Sequence, residues 1–166
     1  IHSIERSPFQ YSFDFLLLKH NQMAELQEEF AAEREELHSD AISICQTLIR
    51  IPSVNFGEGK GDEAAVAAKV VDLLKEVGIS SRIYESAPGR CNVIAHIKGQ
   101  DESRSGLVVH GHLDVVPANA EDWSVEPFSA QIKEGMIWGR GAIDMKNMDA
   151  MIIAIFRMWA RKGIKP

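Results

Sequence analysis

A histidine and two carboxylates, His112, Asp114 and Asp144, stand at the ends of short apolar runs in the second half of the chain. Alternate side chains of an extended segment point the same way, so His112 and Asp114 should share a side while Leu113 packs on the other. A neutral imidazole is a good zinc ligand, and a carboxylate on its second ring nitrogen fixes its orientation. The spacing therefore indicates a metal ligand at His112 and an orienting carboxylate at Asp114. The alternative is a turn in which Asp114 only accepts hydrogen bonds from backbone amides.

His110 is a second candidate ligand, because His110 and His112 would lie on one side of a regular strand. Gly111 stands between them and makes a regular strand doubtful. His110 also ends an apolar run, where packing or a hydrogen bond accounts for a histidine. We therefore assign the ligand role to His112.

Asp144 follows Ile143 and precedes an apolar segment, where an unpaired carboxylate would be costly if it were buried. A cation beside it would offset that cost. The two oxygens of one carboxylate can also bridge two metal ions about 3.5–4 Å apart, an arrangement that polarises a carbonyl and activates a water molecule. Asp144 is therefore predicted to be a metal ligand.

Residues 110–146 together resemble the M20 family of zinc-dependent metallopeptidases and amidohydrolases. Its members include aminoacylases, carboxypeptidases, dipeptidases and succinyl-diaminopimelate desuccinylases. The family pattern G-H-x-D-x-V-P is matched by residues 111–117, and its pattern G-R-G-x-x-D-M-K by residues 139–146. Residues 122–128 are similar to the W-x-x-x-P-F segment of the family. The resemblance extends from about Glu35 to the end of the chain.

The resemblance implies a role for each of the three residues. His112 binds one zinc, Asp144 bridges two zincs, and Asp114 is the catalytic residue that steers His112. Cobalt or manganese is also compatible with such nitrogen and oxygen ligands. The implied reaction is attack on an amide carbonyl of a peptide or N-acyl amino acid by a zinc-bound water, with a glutamate as proton shuttle.

Several family residues have no counterpart in the 166 residues of this sequence. They are the paired glutamates that follow the bridging aspartate, a further acidic ligand and a distal histidine, and Asn147 stands where many members have glycine or an acid. Loss of the proton shuttle alone costs about 10²- to 10⁴-fold in rate. We therefore expect the N-terminal part of a metallohydrolase, with negligible activity by itself. The resemblance also implies that the intact enzyme forms a homodimer through a domain that is absent here. The alternative is a non-catalytic scaffold, from a truncated gene, that associates through its first long helix.

Helical elements are predicted on both sides of the candidate site. An apolar residue recurs every seven positions over residues 22–51, which predicts a long amphipathic helix that ends before Pro52. A second helix is predicted from an Asp62 cap to Val77, with Gly78 as a left-handed C-cap. A third is predicted over residues 147–162.

Strand-like runs lie between the second and third helices. A hairpin is expected around Gly135, which permits a positive φ, and residues 107–110 are apolar enough for a buried central strand. The order of elements predicts an α/β fold, and the resemblance specifies a three-layer α/β/α zinc-peptidase-like domain that is incomplete at its C-terminus. The predicted strands are residues 82–85, 92–98, 107–110, 129–132 and Met136–Trp138.

Composition limits the class of protein. A chain with 45% hydrophobic residues and a net charge of -6 has ample core, and its scattered Lys and Arg argue against nucleic-acid binding. Its longest apolar runs are far shorter than the roughly eighteen residues of a membrane span. Cys45 and Cys91 lack metal-clip or redox spacing and indicate reduced thiols in a cytoplasmic protein.

Residues 1–21 are predicted to be a poorly ordered leader, and residues 22–166 the N-terminal part of the catalytic domain.

Overall fold

The computed structural model describes residues 8–166, with side chains from residue 27 onward except residue 29. The chain divides into two compact units, Ile1–His38 and Ser39–Pro166, and the candidate site lies within the second. The described elements are α1 (Pro8–Ile49), α2 (Ala64–Lys75), β1 (Ser81–Ala87), β2 (Arg90–Ala95), a 3₁₀ turn (Ala120–Asp122), β3 (Gln131–Lys133), β4 (Met136–Trp138) and α3 (Lys146–Lys162).

The mixture of helices and strands confirms the α/β class. Strands β1 and β2 form one antiparallel pair, with Ser81 opposite Ala95, and β3 and β4 form another, with Gln131 opposite Trp138. Each pair is a separate two-stranded sheet. A three-layer arrangement needs a sheet between two helical layers, so that part of the expectation stays a prediction.

Helix α1 begins at Pro8, well before the start predicted at residue 22. Proline fits the first turn of a helix, where its missing N–H would have no partner. Helix α1 covers residues 8–21 of the predicted leader and residues 1–7 lie outside the described part of the chain, so the poor order of the leader stays a prediction. The predicted end before Pro52 is confirmed, since α1 ends at Ile49.

Local sequence signals correctly predicted the approximate positions of α2, α3 and the hairpin of β3 and β4. Asp62 accepts a hydrogen bond from the Ala64 N–H at 3.0 Å at the start of α2, and Gly78 follows that helix with a φ of +79°. Gly135 has a φ of +75° in the turn that joins β3 to β4, as predicted. Helix α3 covers the predicted residues 147–162 and ends at a left-handed Gly163.

The run 107–110 was predicted to be a buried central strand, and this prediction is wrong. Leu107 is 88% exposed and Val108 is 83% exposed, and no described strand pairs with this run. An apolar strand is buried only where other elements supply its hydrogen bonds and cover its faces. Across residues 8–166, no helix combines the length and the apolar character that crossing a membrane requires.

The core is formed by the last turns of α1 together with α2 and α3. One charged side chain, that of Arg157 in α3, is buried among these helices and only 7% exposed. Its Nε donates to Asp40 in α1 at 3.1 Å, and its Nη1 donates to the Leu73 carbonyl in α2 and, at 2.9 Å, to Glu76 directly after α2. A single guanidinium therefore ties the three helices together. The buried apolar residues of these helices are Ile44, Cys45, Leu48, Ile49, Val66, Ala67, Val70, Leu73, Leu74, Ala150, Ile153 and Ala154.

Replacing Arg157 with methionine should lower the free energy of unfolding by about 2–4 kcal/mol, because a buried carbonyl and two carboxylates lose their donor. Asp40 and Glu76 are partly exposed, which keeps the loss below that of a fully buried ion pair. Arg161 also reaches Asp40, at 3.2 Å, but its side chain is 35% exposed. Arg161→Met is the matched control and should cost under about 1 kcal/mol. Equal losses in urea unfolding of the two variants would contradict the assignment.

Candidate metal centre

The segment that carries His112 and Asp114 is fixed by the chain that follows α1. Val115 forms a short parallel bridge with Val54, in which Asn55 N donates to Val115 O at 2.8 Å and Val115 N donates to Ser53 O at 2.9 Å. The buried Ser53 hydroxyl also donates to the Leu113 carbonyl at 2.6 Å. These bonds hold the segment straight on both sides of Asp114.

The structure brings His112, Asp114 and Asp144 together. The His112 Nε2 lies 3.0 Å from an Asp144 carboxylate oxygen. On the other side of the ring, Nδ1 lies 3.2 Å from an Asp114 carboxylate oxygen and 3.0 Å from the Asp114 carbonyl. The imidazole is thus held between two carboxylates. The predicted common orientation of His112 and Asp114 agrees with these contacts.

The two neighbouring carboxylates favour the charged form of the imidazole. Partial burial lowers the pKa of His112, but the hydrogen bonds to Asp144 and Asp114 outweigh it, so the pKa lies above its ordinary value. Burial would raise the pKa of Asp114, but a hydrogen bond from Asn55 and the nearby imidazole hold it below its ordinary value. Both carboxylates therefore favour a positive charge on the ring that lies between them.

Asp144 differs from its sequence-based description, because its side chain is 83% exposed rather than buried. No cation is therefore needed to offset burial of the Asp144 carboxylate. Asp144 instead presents a solvated carboxylate beside His112, and its peptide bond to Met145 is cis. His110, the competing ligand, is also exposed and lies outside the cleft described next.

A cleft of about 440 Å³ opens beside the three residues. Its wall includes the imidazole and the two carboxylates, and the rest of the wall is mainly apolar and comes from β4 and the neighbouring loops. Arg140 packs over the Trp123 ring with its guanidinium carbon 5.1 Å from the ring centre. The lining residues are His112, Asp114, Val115, Val116, Trp123, Met136, Ile137, Trp138, Gly139, Arg140, Gly141, Ala142, Ile143 and Asp144.

Lys146, two residues after Asp144, anchors this loop to the core. Its side chain is fully buried, and its Nζ donates to the carbonyls of Leu48 and Ile51 at 2.9 Å each. Leu48 lies in the last turn of α1 and Ile51 follows the helix, where its N–H donates to the Leu48 carbonyl at 3.2 Å. Carbonyls at the C-terminal end of a helix attract a cation. Burial lowers the pKa of Lys146 to about 8, partly opposed by the negative charge of Asp149.

Asp149 was not singled out in the sequence, yet it is 6% exposed and lies directly beneath Gly111. A Cβ on Gly111 would sit 2.1 Å from an Asp149 carboxylate oxygen, so this position needs glycine. The other oxygen, Oδ2, has no hydrogen-bond partner within the described chain. Burial raises the pKa of Asp149 to about 6, opposed by His112 and Lys146. The sequence did carry a sign that Asp149 is buried: it lies three and four residues before apolar Ile152 and Ile153, which is helical spacing.

The donors present fit a small metal ion in chemistry and in spacing. An imidazole nitrogen and a carboxylate oxygen are ordinary zinc ligands, and two such ligands at a tetrahedral ion lie roughly 3.4 Å apart. The His112 nitrogen and the Asp144 oxygen are 3.0 Å apart, so a small movement would suit them to one ion. Within the part of the chain that the structure describes, no group of three or more His, Cys, Asp or Glu is placed to hold a metal.

Asp149 gives the unfolding of this protein a testable dependence on pH. The folded state keeps its proton up to about pH 6, whereas an unfolded chain releases it near pH 4. Folding takes up a proton between these values, so the contribution of Asp149 to the free energy of unfolding falls as the pH rises. Asp149→Asn should therefore gain roughly 1–3 kcal/mol relative to the parent chain from pH 4 to pH 7.

Urea unfolding at several pH values measures this difference. Asp72→Asn, which removes an exposed carboxylate of α2, is the control. A constant difference for Asp149→Asn would show that burial of this carboxylate does not affect folding.

Comparison with known proteins gives two kinds of match. Residues 108–166 match the model of peptidase family M20/M25/M40. The chain is 30% identical over 160 residues to an N-fatty-acyl-amino acid synthase/hydrolase of Xenopus tropicalis, covering 94% of this chain and 30% of the relative. It is 34% identical over 131 residues to a succinyl-diaminopimelate desuccinylase of Bradyrhizobium diazoefficiens, covering 77% of this chain and 32% of the relative.

The matched region contains all three residues of the candidate site, and the similarity extends through most of the rest of the chain. The chain spans about 30% of the length of these relatives. The family match and the two relatives identify the chain as a member of the M20 family of peptidases and amidohydrolases.

Proposed function

We propose that this chain contributes the first metal-binding residues of a zinc-dependent hydrolase that cleaves amide bonds of peptides or N-acyl amino acids. The observation that carries the proposal is the His112 imidazole held between Asp114 and Asp144 in the wall of a cleft. The names of the relatives support the substrate class. One is a hydrolase of N-fatty-acyl amino acids and the other removes a succinyl group.

In this proposal each of the three residues has one task. His112 Nε2 and an Asp144 oxygen hold the ion, and the contacts of Asp114 with Nδ1 keep the proton on that nitrogen. The lone pair of Nε2 is then free for the metal. Zinc, when bound, supplies Lewis acidity for the amide carbonyl and a more acidic water. Cobalt and manganese suit the same nitrogen and oxygen donors.

The exposure of Asp144 supports its proposed bridging role. One of its oxygens contacts His112, and the side chain is otherwise open to the cleft. A bridging carboxylate needs this freedom, because each oxygen must reach a different ion. An oxygen sequestered by a second protein donor would not be available.

The apolar wall of the cleft is suited to the acyl group or side chain that flanks the scissile amide. Trp123, Ile137 and Trp138 all line it. Ligand sites commonly combine such a wall with a few polar groups that fix the orientation of the ligand. An apolar group on this wall would also exclude water from the two carboxylates.

The same proposal includes what these 166 residues do alone. Two donors, His112 and Asp144, are fewer than the three protein ligands of a catalytic zinc site, and no described glutamate lies in the cleft to move a proton. We therefore expect weak metal binding and negligible hydrolysis, with the remaining ligands and the dimer contacts supplied by a longer protein. The free thiols of Cys45 and Cys91 support a cytoplasmic location.

Zinc binding tests the proposal directly. The chain should bind zinc measurably in equilibrium dialysis followed by metal analysis, and His112→Ala and Asp144→Ala should each weaken binding at least about tenfold, since each removes one of two ligands. His110→Ala is the matched control and should leave binding unchanged, because His110 lies outside the cleft. Binding that depends on His110, or that survives both ligand substitutions, would refute the assignment. An absence of zinc from the parent chain would favour the scaffold alternative.

A further inference from the structure

We propose that Asn55 is a positioning residue of the metal centre, acting on His112 through Asp114. The proposal rests on the metal site proposed above. Asn55 Nδ2 donates to Asp114 Oδ2 at 2.8 Å, while Asp114 Oδ1 faces His112 Nδ1 at 3.2 Å. The two oxygens of Asp114 are thus divided between an amide and an imidazole. The continuous chain of contacts runs from Asn55 through Asp114 and His112 to Asp144.

Asn55 can act in this way because two further hydrogen bonds fix it in place. Its backbone N–H donates to the Val115 carbonyl at 2.8 Å, and its side-chain oxygen accepts from the Gly57 N–H at 2.9 Å. Gly57 has a φ of +77°, which allows the turn that brings its N–H back to the side chain. The amide therefore uses its oxygen on its own loop and its nitrogen on Asp114. Rotating the amide by half a turn would break both bonds.

The loop beyond Asn55 is built to hold this amide. Asn55 forms a bridge with Gly61, and Phe56 N donates to Lys60 O at 2.8 Å. Lys60 N donates to Gly57 O at 2.8 Å and closes the turn. The position of this Gly-rich loop against Asp114 gives the loop a role in the proposed site.

An amide also suits the electrostatics of the position. A carboxylate at residue 55 would place a second negative charge against Asp114, and a hydrophobic side chain would leave Asp114 Oδ2 without its protein donor. Asn55 supplies an N–H without adding charge. The hydrogen bond from Asn55 restricts rotation of the Asp114 carboxylate, so Asp114 Oδ1 stays beside His112.

The first test is zinc affinity in a double-mutant cycle made of Asn55→Ala, Asp114→Ala and the two together. Outer residues that orient a ligand typically contribute about 10- to 100-fold to metal affinity. Asn55→Ala should lower the affinity by that factor in the parent chain and by less than about threefold when Asp114 is already alanine. Equal losses in both backgrounds would mean that Asn55 does not act through Asp114.

Asn119→Ala is the matched control. Asn119 also accepts a hydrogen bond from a backbone N–H two residues along, that of Glu121, but it does not contact Asp114. The control should leave zinc affinity unchanged. Urea unfolding in the presence of a chelator should show that Asn55→Ala is folded. A loss of zinc affinity can then be attributed to the metal site rather than to unfolding.

A metal-free readout separates this proposal from the proposed function. In the folded chain Nδ1 of His112 faces two acceptors of Asp114 while Nε2 faces one of Asp144. Imidazole ¹⁵N shifts of the neutral ring should therefore show mainly the Nδ1–H tautomer, and Asn55→Ala should raise the Nε2–H fraction. A parent chain without zinc affinity would overturn the metal site alone. An unchanged tautomer in Asn55→Ala would overturn the role of Asn55.

Discussion

The short backbone pairing between residues 53–55 and 113–115 is the constraint on which the candidate site depends. It joins the end of α1 to the segment that carries His112 and Asp114. Because backbone hydrogen bonds fix direction as well as distance, Asp114 can face Asn55 and His112 at the same time. Asp144 then reaches the same imidazole from a loop that Lys146 anchors to the end of α1. The end of α1 therefore positions both the segment that carries His112 and Asp114 and the loop that carries Asp144.

Beneath the site, a buried acid and a buried base balance one another. Burial lowers the pKa of Lys146 and raises that of Asp149, and each opposes the shift of the other. Lys146 is satisfied by two carbonyls, whereas one oxygen of Asp149 has no partner in the described chain. The acid is thus the less well compensated member of the pair. Gly111 lets the segment that carries His112 pass close to the Asp149 carboxylate.

Sequence alone was most reliable where a local signal determines a local structure. Gly135 marks the hairpin turn and Gly78 the end of α2, since each glycine occupies a left-handed conformation. The spacing of His112 and Asp114 predicted their common side, and the resemblance added Asp144 to the same site. The run 107–110 was misjudged because burial depends on neighbouring elements rather than on its own composition. Asn55 gave no signal, since its partner is 59 positions away in the sequence.

The arrangement of charges also determines how a proton and a metal compete for the site. Two carboxylates flank His112 and stabilise its protonated form, and a zinc ion needs the same imidazole as a neutral ligand. At the proposed site, metal binding would release this proton, so the apparent affinity for zinc would rise with pH. In the proposed site, Asp114 holds the Nδ1 side of the ring, and a metal ion would take the place of the contact between His112 Nε2 and Asp144.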